Sequence, residues 1–429
     1  MTTIQERVYG APPPPSWTLG KLHRVLRVRK NFKNTGMRED NLLSLSYGRI
    51  IRKDIDAAEG LLPESFETYQ IVEPGNIVMR LTDLQNDKRS LRQALVHERG
   101  IITSAYDALE VGPEHDPRFW AYFLLALDLA KYYYSLGGGV RQSINFADFP
   151  NEWLGIPDLE TQRAIADFLS RETDLITELI EKKRRQVELL SEKRSIALEQ
   201  MLFEPALKGR GRLMRLKYLA KRISKGTTPS TIGADLTVEG TRFLRAENVH
   251  QGGVLDEPAL YISEETDYVL RRSSLEAKDI LVVIAGATTG KVGVIERRQL
   301  PANLNQAVSF IRLWDPSIAY IVAAALQTQR VQAEVKLTSV QAAQPNLAME
   351  DLGPVPPKGD IISTQEKIRH FNERHLSITQ GIQASIERLV EFRSAVITAA
   401  VCGKVDISTW RKRGSTLRHL EAVEAGQLA

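Results

Sequence analysis

One cysteine stands in the whole chain, Cys402, so no internal disulfide framework can hold the fold together. That usage fits a reducing cytoplasm, where Cys402 serves as a small apolar residue near a helix end. No apolar run approaches the ~18 residues of a membrane span, and the N-terminus lacks the charged-then-apolar pattern of a secretory signal. The seven histidines are scattered without metal-ligand spacing, so no metal site is expected. No Ser-His-Asp set or carboxylate pair is present in a recognisable pattern. The nearest thing to a nuclease core is Asp83, Asp87 and Lys88, in a loop that Arg80 and Arg89 make basic. There is also no paired Gly-rich and Asn-Pro-Pro-Tyr constellation for methyl transfer to a base amine. These absences point to a non-catalytic chain whose chemistry is done by a partner.

What is present is a chain written twice. Gln162, Ile165 and Phe168 recur as Gln365, Ile368 and Phe371, each 203 residues later. The same offset carries Asn76-Ile77 onto Asp279-Ile280, and Ile144, Phe146, Asp148 and Phe149 onto Leu347, Met349, Asp351 and Leu352. Such spread implies tandem duplication with drift. A period this long is too large for a solenoid unit, so each copy is a domain with its helix. With 429 residues, 43% hydrophobic and 26% charged, the composition is that of a globular protein of two to four domains.

The net charge of +4 matters through its placement. Residues 21–38 hold Lys21, Arg24, Arg27, Arg29, Lys30, Lys33 and Arg38 without an acid. Residues 208–225 hold Lys208, Arg210, Arg212, Arg215, Lys217, Lys221, Arg222 and Lys225, again without an acid. Both runs lie near the start of their repeat, and acids outnumber bases in the rest of the chain. A charge run is most often a solvated face. Two in register, each free of carboxylates, suit phosphate contacts.

The first module opens with a stiff arm at Pro12 to Pro15 and the pattern Trp17-x-Leu19-x-x-Leu22; the second opens with Met214-x-Leu216-x-x-Leu219. Short β-rich runs follow at residues 41–51, 71–81, 241–244 and 279–285, bounded by turn residues. Asp116-Pro117 and Asp315-Pro316 each open a helical stretch, and prolines close each globular part at Pro157 and at Pro354 to Pro357. Residues 160–203 contain no Gly or Pro, and Leu169, Ile176, Leu179, Val187, Leu190, Ala197 and Met201 recur at three- and four-residue steps. The spacing predicts one amphipathic helix of ~40 residues, about 60 Å long, ended by Pro205. Residues 364–401 repeat the stripe through Phe371, Ile378, Ile382, Ile386, Leu389 and Val396, with Gly381 weakening it and Gly403 closing it. Helices this long exceed what one small domain can cover, and pairing with each other as an antiparallel coiled coil is the economical solution. Packing of each helix back onto its own module is the alternative. The expected fold is α+β. Recognition domains at 1–157 and 206–357 alternate with spacer helices at 158–205 and 358–407, and a tail covers 408–429.

Gly286-Ala287-Thr288-Thr289-Gly290-Lys291 tempts a phosphate-loop reading. It has three residues between its glycines where four are required, and Val292 replaces the hydroxyl that would hold Mg²⁺. The reading preferred here is a glycine turn in a β-hairpin that offers Lys291 to solvent or phosphate. Base-reading candidates in the first module are Tyr134, Arg141 and Gln142, in the run from Tyr132 to Ser143 that joins aromatics, a triple glycine, Arg and Gln. Arg and Gln have the donor geometry to read guanine and adenine edges. For at least one of the three tyrosines, core packing is the better reading. The second module offers Gln341, Gln344 and Asn346 at the matching place.

These residues resemble the specificity subunits of type I restriction-modification enzymes. The likeness rests on Pro15-Ser16-Trp17, on Pro157-Asp158-Leu159 with Gln162, Ile165, Phe168 and Leu169, and on its second copy, Gln365, Ile368 and Phe371. The second copy departs from the pattern at Asn372, where Leu is usual. Gly226 to Ser230 and residues 241–252, with Arg245 and Asn248 as further base-reading candidates, look like the opening of a target recognition domain. The resemblance implies a split duplex DNA target, one half per recognition domain, with the spacers fixing the gap. It implies two modification (methyltransferase) subunits and restriction (translocase and nuclease) subunits as partners, which would carry S-adenosylmethionine, ATP and Mg²⁺. This chain would bind no cofactor. A specificity subunit of a stand-alone or fused methyltransferase system, or a coiled-coil scaffold that binds only proteins, remains open as an alternative.

Overall fold

The computed structural model describes residues 2–30, 32–55, 63, 65–82, 84, 91–136, 143–207, 212–214, 216–250, 253–329, 331–332, 354–355 and 361–407. The chain divides into two compact units, Met1–Glu181 with Ser385–Ala429, and Lys182–Ala384. Helix and sheet are mixed in both. Among the described residues, no helix is long and apolar enough to cross a membrane.

In the first unit a four-stranded antiparallel sheet runs in the order Leu26–Val28, Asp107–Val111, Ile77–Met79, Gln93–Leu95. Ile77, Val78 and Met79 are all fully buried, as a central strand covered on both faces requires. One cover is the helix Pro117–Leu129, where Asp116 caps the first turn and Pro117 needs no N–H. It buries Phe119, Trp120, Phe123, Leu124 and Leu127. The hairpin Leu43–Ser46 with Arg49–Arg52 turns through Tyr47 and Gly48, both at positive φ (46° and 77°), the twist a two-residue hairpin demands. The N-terminal arm is structured too. Thr3 and Glu6 form a capping box on the helix Ile4–Tyr9, and Thr18–Lys21 pairs with Trp153–Ile156.

The second unit holds a four-stranded antiparallel sheet in the order Ala220–Lys225, Val308–Leu313, Ile280–Val283, Val292–Val294. Its chain connections repeat those of the first sheet: first strand at the edge, last strand beside it, then the second and third. The 3₁₀ turn Pro316–Ile318 and the helix Ala319–Leu326 follow, with Asp315 again capping. The hairpin between Ile280–Val283 and Val292–Val294 is the one read from the sequence, with Gly286 and Gly290 at positive φ.

Two long helices link the units, Leu159–Leu207 and Ile361–Val401. The first continues past Pro205, where the sequence placed its end. A proline there removes one N–H, and the helix stops within the turn that follows. Gly381 does not interrupt the second helix, which ends at Val401 and is closed by Gly403 at φ 69°. In the first unit, Ile165, Phe168 and Leu169 share a core with Val396, Ile397, Ala400 and Val401. In the second, Leu198, Leu202 and Phe203 share one with Ile368 and Phe371. The ends of the two stripes therefore share a core with a globular part and with each other.

Candidate nucleic-acid interface

Each long helix docks on a globular part through the glutamine that opens its motif. Gln162 is fully buried; its Oε1 accepts from the Asp116 backbone N–H (2.9 Å) and from Trp120 Nε1 (3.1 Å), while Nε2 donates to Pro157 O (2.8 Å). Gln365 Nε2 donates to Ser317 O, at the start of the corresponding Asp-Pro helix. A glutamine is suited to both places because its amide carries a donor and an acceptor on one flexible stem.

The basic run of the first unit lies along its edge strand and the turns beside it. Arg24, Arg27, Lys30 and Lys33 are exposed. Arg24 and Arg27 line a cavity of about 220 Å³ with Glu110, Glu114 and His115. Lys21 sets its ammonium over the Trp153 ring, 5.7 Å from the centroid. Arg29 is placed otherwise. Its side chain is 7% exposed, donates to Asn76 Oδ1 (2.7 Å), and lies 4.0 Å from Glu73 and 3.7 Å from Glu110. With its guanidinium buried against Asn76 and facing these two partly exposed acids, Arg29 is a strut of the sheet. The same device recurs in the second unit, where Asp279 accepts from Arg312 (2.9 and 2.7 Å).

Of the three tyrosines, Tyr132 and Tyr133 are buried, Tyr133 donating to Leu124 O (3.0 Å). Burial pushes the Tyr133 hydroxyl far above its ordinary range. Tyr134 is half-buried, with the Lys131 ammonium 5.0 Å from its ring centroid. Arg141 and Gln142 lie outside the described residues, as do Gln341, Gln344, Asn346 and Arg215.

In the second unit Lys217, Lys221, Arg222 and Lys225 are all exposed, the last three on the edge strand Ala220–Lys225. Cations and the irregular register between Ala220 and Arg222 also protect such an edge from pairing with other chains. Arg222 donates to Arg272 O (2.7 Å). Two aromatics that the sequence reading passed over stand beside the lysines: Tyr218 is 63% exposed under Lys217, and Trp314 is 68% exposed near Lys221. Only the alternation of strand against turn could have shown them, because Trp314 directly follows a buried leucine.

Lys291 sits half-buried at the end of its hairpin turn. Burial lowers its pKa, and burial followed by the Lys291 charge lowers that of His250. A partly dehydrated ammonium of this kind favours an anion over water. Arg245 pairs with Glu247 at 3.2 Å. Asn248 is fully buried; its Oδ1 accepts from the Arg245 N–H (2.9 Å) and its Nδ2 donates to Pro258 O (3.1 Å). It shapes its loop from within.

One buried polar cluster carries no counterpart in the sequence reading. Arg194 donates to Asn372 Oδ1 (3.1 and 2.7 Å) and to Gln327, and Ser195 Oγ accepts from the Gln329 N–H (2.9 Å). Asn372, where the pattern has leucine, is one acceptor for this guanidinium.

Residues 106–189 match the family model described as the type I restriction modification DNA specificity domain. That segment includes Asp116, the helix Pro117–Leu129, Gln162 and the first half of the long helix. No curated protein matches the chain in sequence. Among solved structures, a chain from work on complex assembly and conformational transition of the type I R-M system is 14% identical, with a TM-score of 0.64. The match covers 92% of this chain and 100% of that one, and it shows the same fold. An HsdS subunit from Thermoanaerobacter tengcongensis is 14% identical with a TM-score of 0.44, over 94% of this chain and 100% of that one. A type I restriction-modification system S subunit from M. genitalium is 14% identical with a TM-score of 0.38, over 91% and 99%.

Proposed function

We propose that this chain, whose residues 106–189 match the model of the type I restriction modification DNA specificity domain, is the sequence-reading subunit of a type I restriction-modification complex. It binds a bipartite duplex target, one half-site per module, and the two long helices set the gap as an antiparallel coiled coil. The observation that carries this reading is that family domain. Two sheets of identical strand order, each followed by an Asp-Pro helix held by a motif glutamine, support the duplication that two half-sites require. Methyl transfer, translocation and cleavage belong to partner subunits, which bring S-adenosylmethionine, ATP and Mg²⁺.

Phosphate contacts position such a protein and base contacts specify its target. Arg24, Arg27, Lys30 and Lys33 supply the first set, and Lys217, Lys221, Lys225 and Lys291 the second. Reversing Arg27 and Lys30, or Lys217 and Lys221, to glutamate in the reconstituted complex is expected to weaken binding to every duplex. The slope of affinity against salt should flatten by roughly one unit per lost contact. Weakening confined to one sequence would mean that these residues read bases, and no weakening would place the phosphate face elsewhere.

A further inference from the structure

We infer that His115 is a positioning residue: as a neutral ring with its proton on Nε2, it holds the amide of Gln162 and so seats the helix Leu159–Leu207 on the first globular part. Protonating the ring loosens that seat in the first module alone. This inference goes beyond the DNA reading and does not depend on it.

The amide of Gln162 can face one way only. Its Oε1 accepts from the Asp116 backbone N–H (2.9 Å) and from Trp120 Nε1 (3.1 Å), two groups that can do nothing but donate. Its Nε2 donates to the Pro157 carbonyl (2.8 Å), which can only accept. The second hydrogen of that Nε2 meets His115 Nδ1 at 3.0 Å. Nδ1 is therefore the acceptor, which leaves the ring proton on Nε2 and excludes the imidazolium. A charged ring would set N–H against N–H beside a fully buried amide whose oxygen is already taken.

The surroundings favour the neutral ring. His115 is half-buried and stands edge-on to the Trp120 ring, 5.8 Å between centroids. Arg24 and Arg27 line the same small cavity, with Glu110 and Glu114 opposing them, and the Asp116 carboxylate is held by Arg118 (2.7 Å). Burial lowers the His115 pKa from its ordinary 6.5, while the Glu114 charge pulls it up. The bond from Gln162 works with burial, since only the neutral ring can accept it. A depressed folded value means that the contribution is intact above pH 6.5 and is lost as pH falls below it. The second unit is built otherwise. Trp314 precedes the capping Asp315 and is 68% exposed, and Gln365 donates to Ser317 O.

Two variants of the full chain separate this role from plain packing. His115→Asn offers an acceptor near the place of Nδ1 and does not titrate, whereas His115→Leu offers none. Above pH 6.5 the Asn variant should melt close to wild type and the Leu variant lower. Hydrogen exchange, corrected for the intrinsic effect of pH, then reads the seat directly. Between about pH 7.5 and about pH 5, the Asp116 amide and the Trp120 indole N–H should lose roughly ten-fold in protection in wild type and nothing in His115→Asn. The Ser317 amide at the matching turn of the second unit should keep its protection in both. Nitrogen-15 NMR of the histidine rings should show His115 Nδ1 without a proton at neutral pH. A proton found on Nδ1, an Asn variant that melts as low as the Leu variant, or the same exchange profile in wild type and Asn variant would overturn the inference.

Discussion

At the scale of single residues, the cluster around Arg194 makes sharp predictions. Burial holds its guanidinium down to about 10, still protonated at neutral pH, so its neutral amide acceptors face a full positive charge. Replacing Asn372 by Leu, the residue the family pattern expects, removes one of them and should destabilise the protein by about 2 kcal/mol in urea denaturation. An unchanged midpoint would mean that the guanidinium's other partners suffice. Beside it, burial and then the Arg194 charge push His375 down to about 4 from an ordinary 6.5. A depressed folded value means that the unfolded chain takes up the proton first as pH falls. The His375 contribution is therefore intact above pH 6.5 and is lost as pH drops from there toward 4. Melting temperature should fall across that window, and His375→Gln should flatten the fall. A variant with the same pH profile as wild type would assign the loss to other groups.

At the scale of elements, what was legible in the sequence was what is local. The Asp-Pro helix starts, the Gly286–Gly290 turn and the two long stripes each follow from capping, positive φ or periodicity within a few residues. The internal role of Arg29 was not legible, because its partner Asn76 is 47 residues away and only the folded sheet brings them together. The buried place of Asn248 was not legible for a similar reason: nothing in its own sequence says that the carbonyl of Pro258 turns back on it. If the stripes set the gap as proposed, they make a ruler that can be lengthened. Four residues inserted after Glu188 add about 6 Å, near two base-pair steps, and nearly preserve the phase of the stripe. The half-sites should keep their sequences while the gap grows by one or two base pairs. Two inserted residues rotate the stripe by about 200° and should abolish folding or assembly. A soluble, active complex with four extra residues and an unchanged gap would refute the ruler.

For the whole molecule, the account rests on two readers in one polypeptide. Each unit has its own four-stranded sheet, its own capped helix and its own exposed lysines and arginines. On the proposed function, residues 1–157 should therefore be exchangeable for the corresponding domain of a type I specificity subunit, changing one half of the target and leaving the other untouched. The most direct test is single-molecule sequencing of methylated bases in cells that carry this gene, lack it, or carry it with residues 1–157 exchanged. The account predicts a modified motif of two short half-sites separated by a fixed unspecified gap. That motif should vanish with the gene, and the exchange should alter one half-site alone. An uninterrupted motif, or an exchange that rewrites both halves in a folded complex, would contradict it.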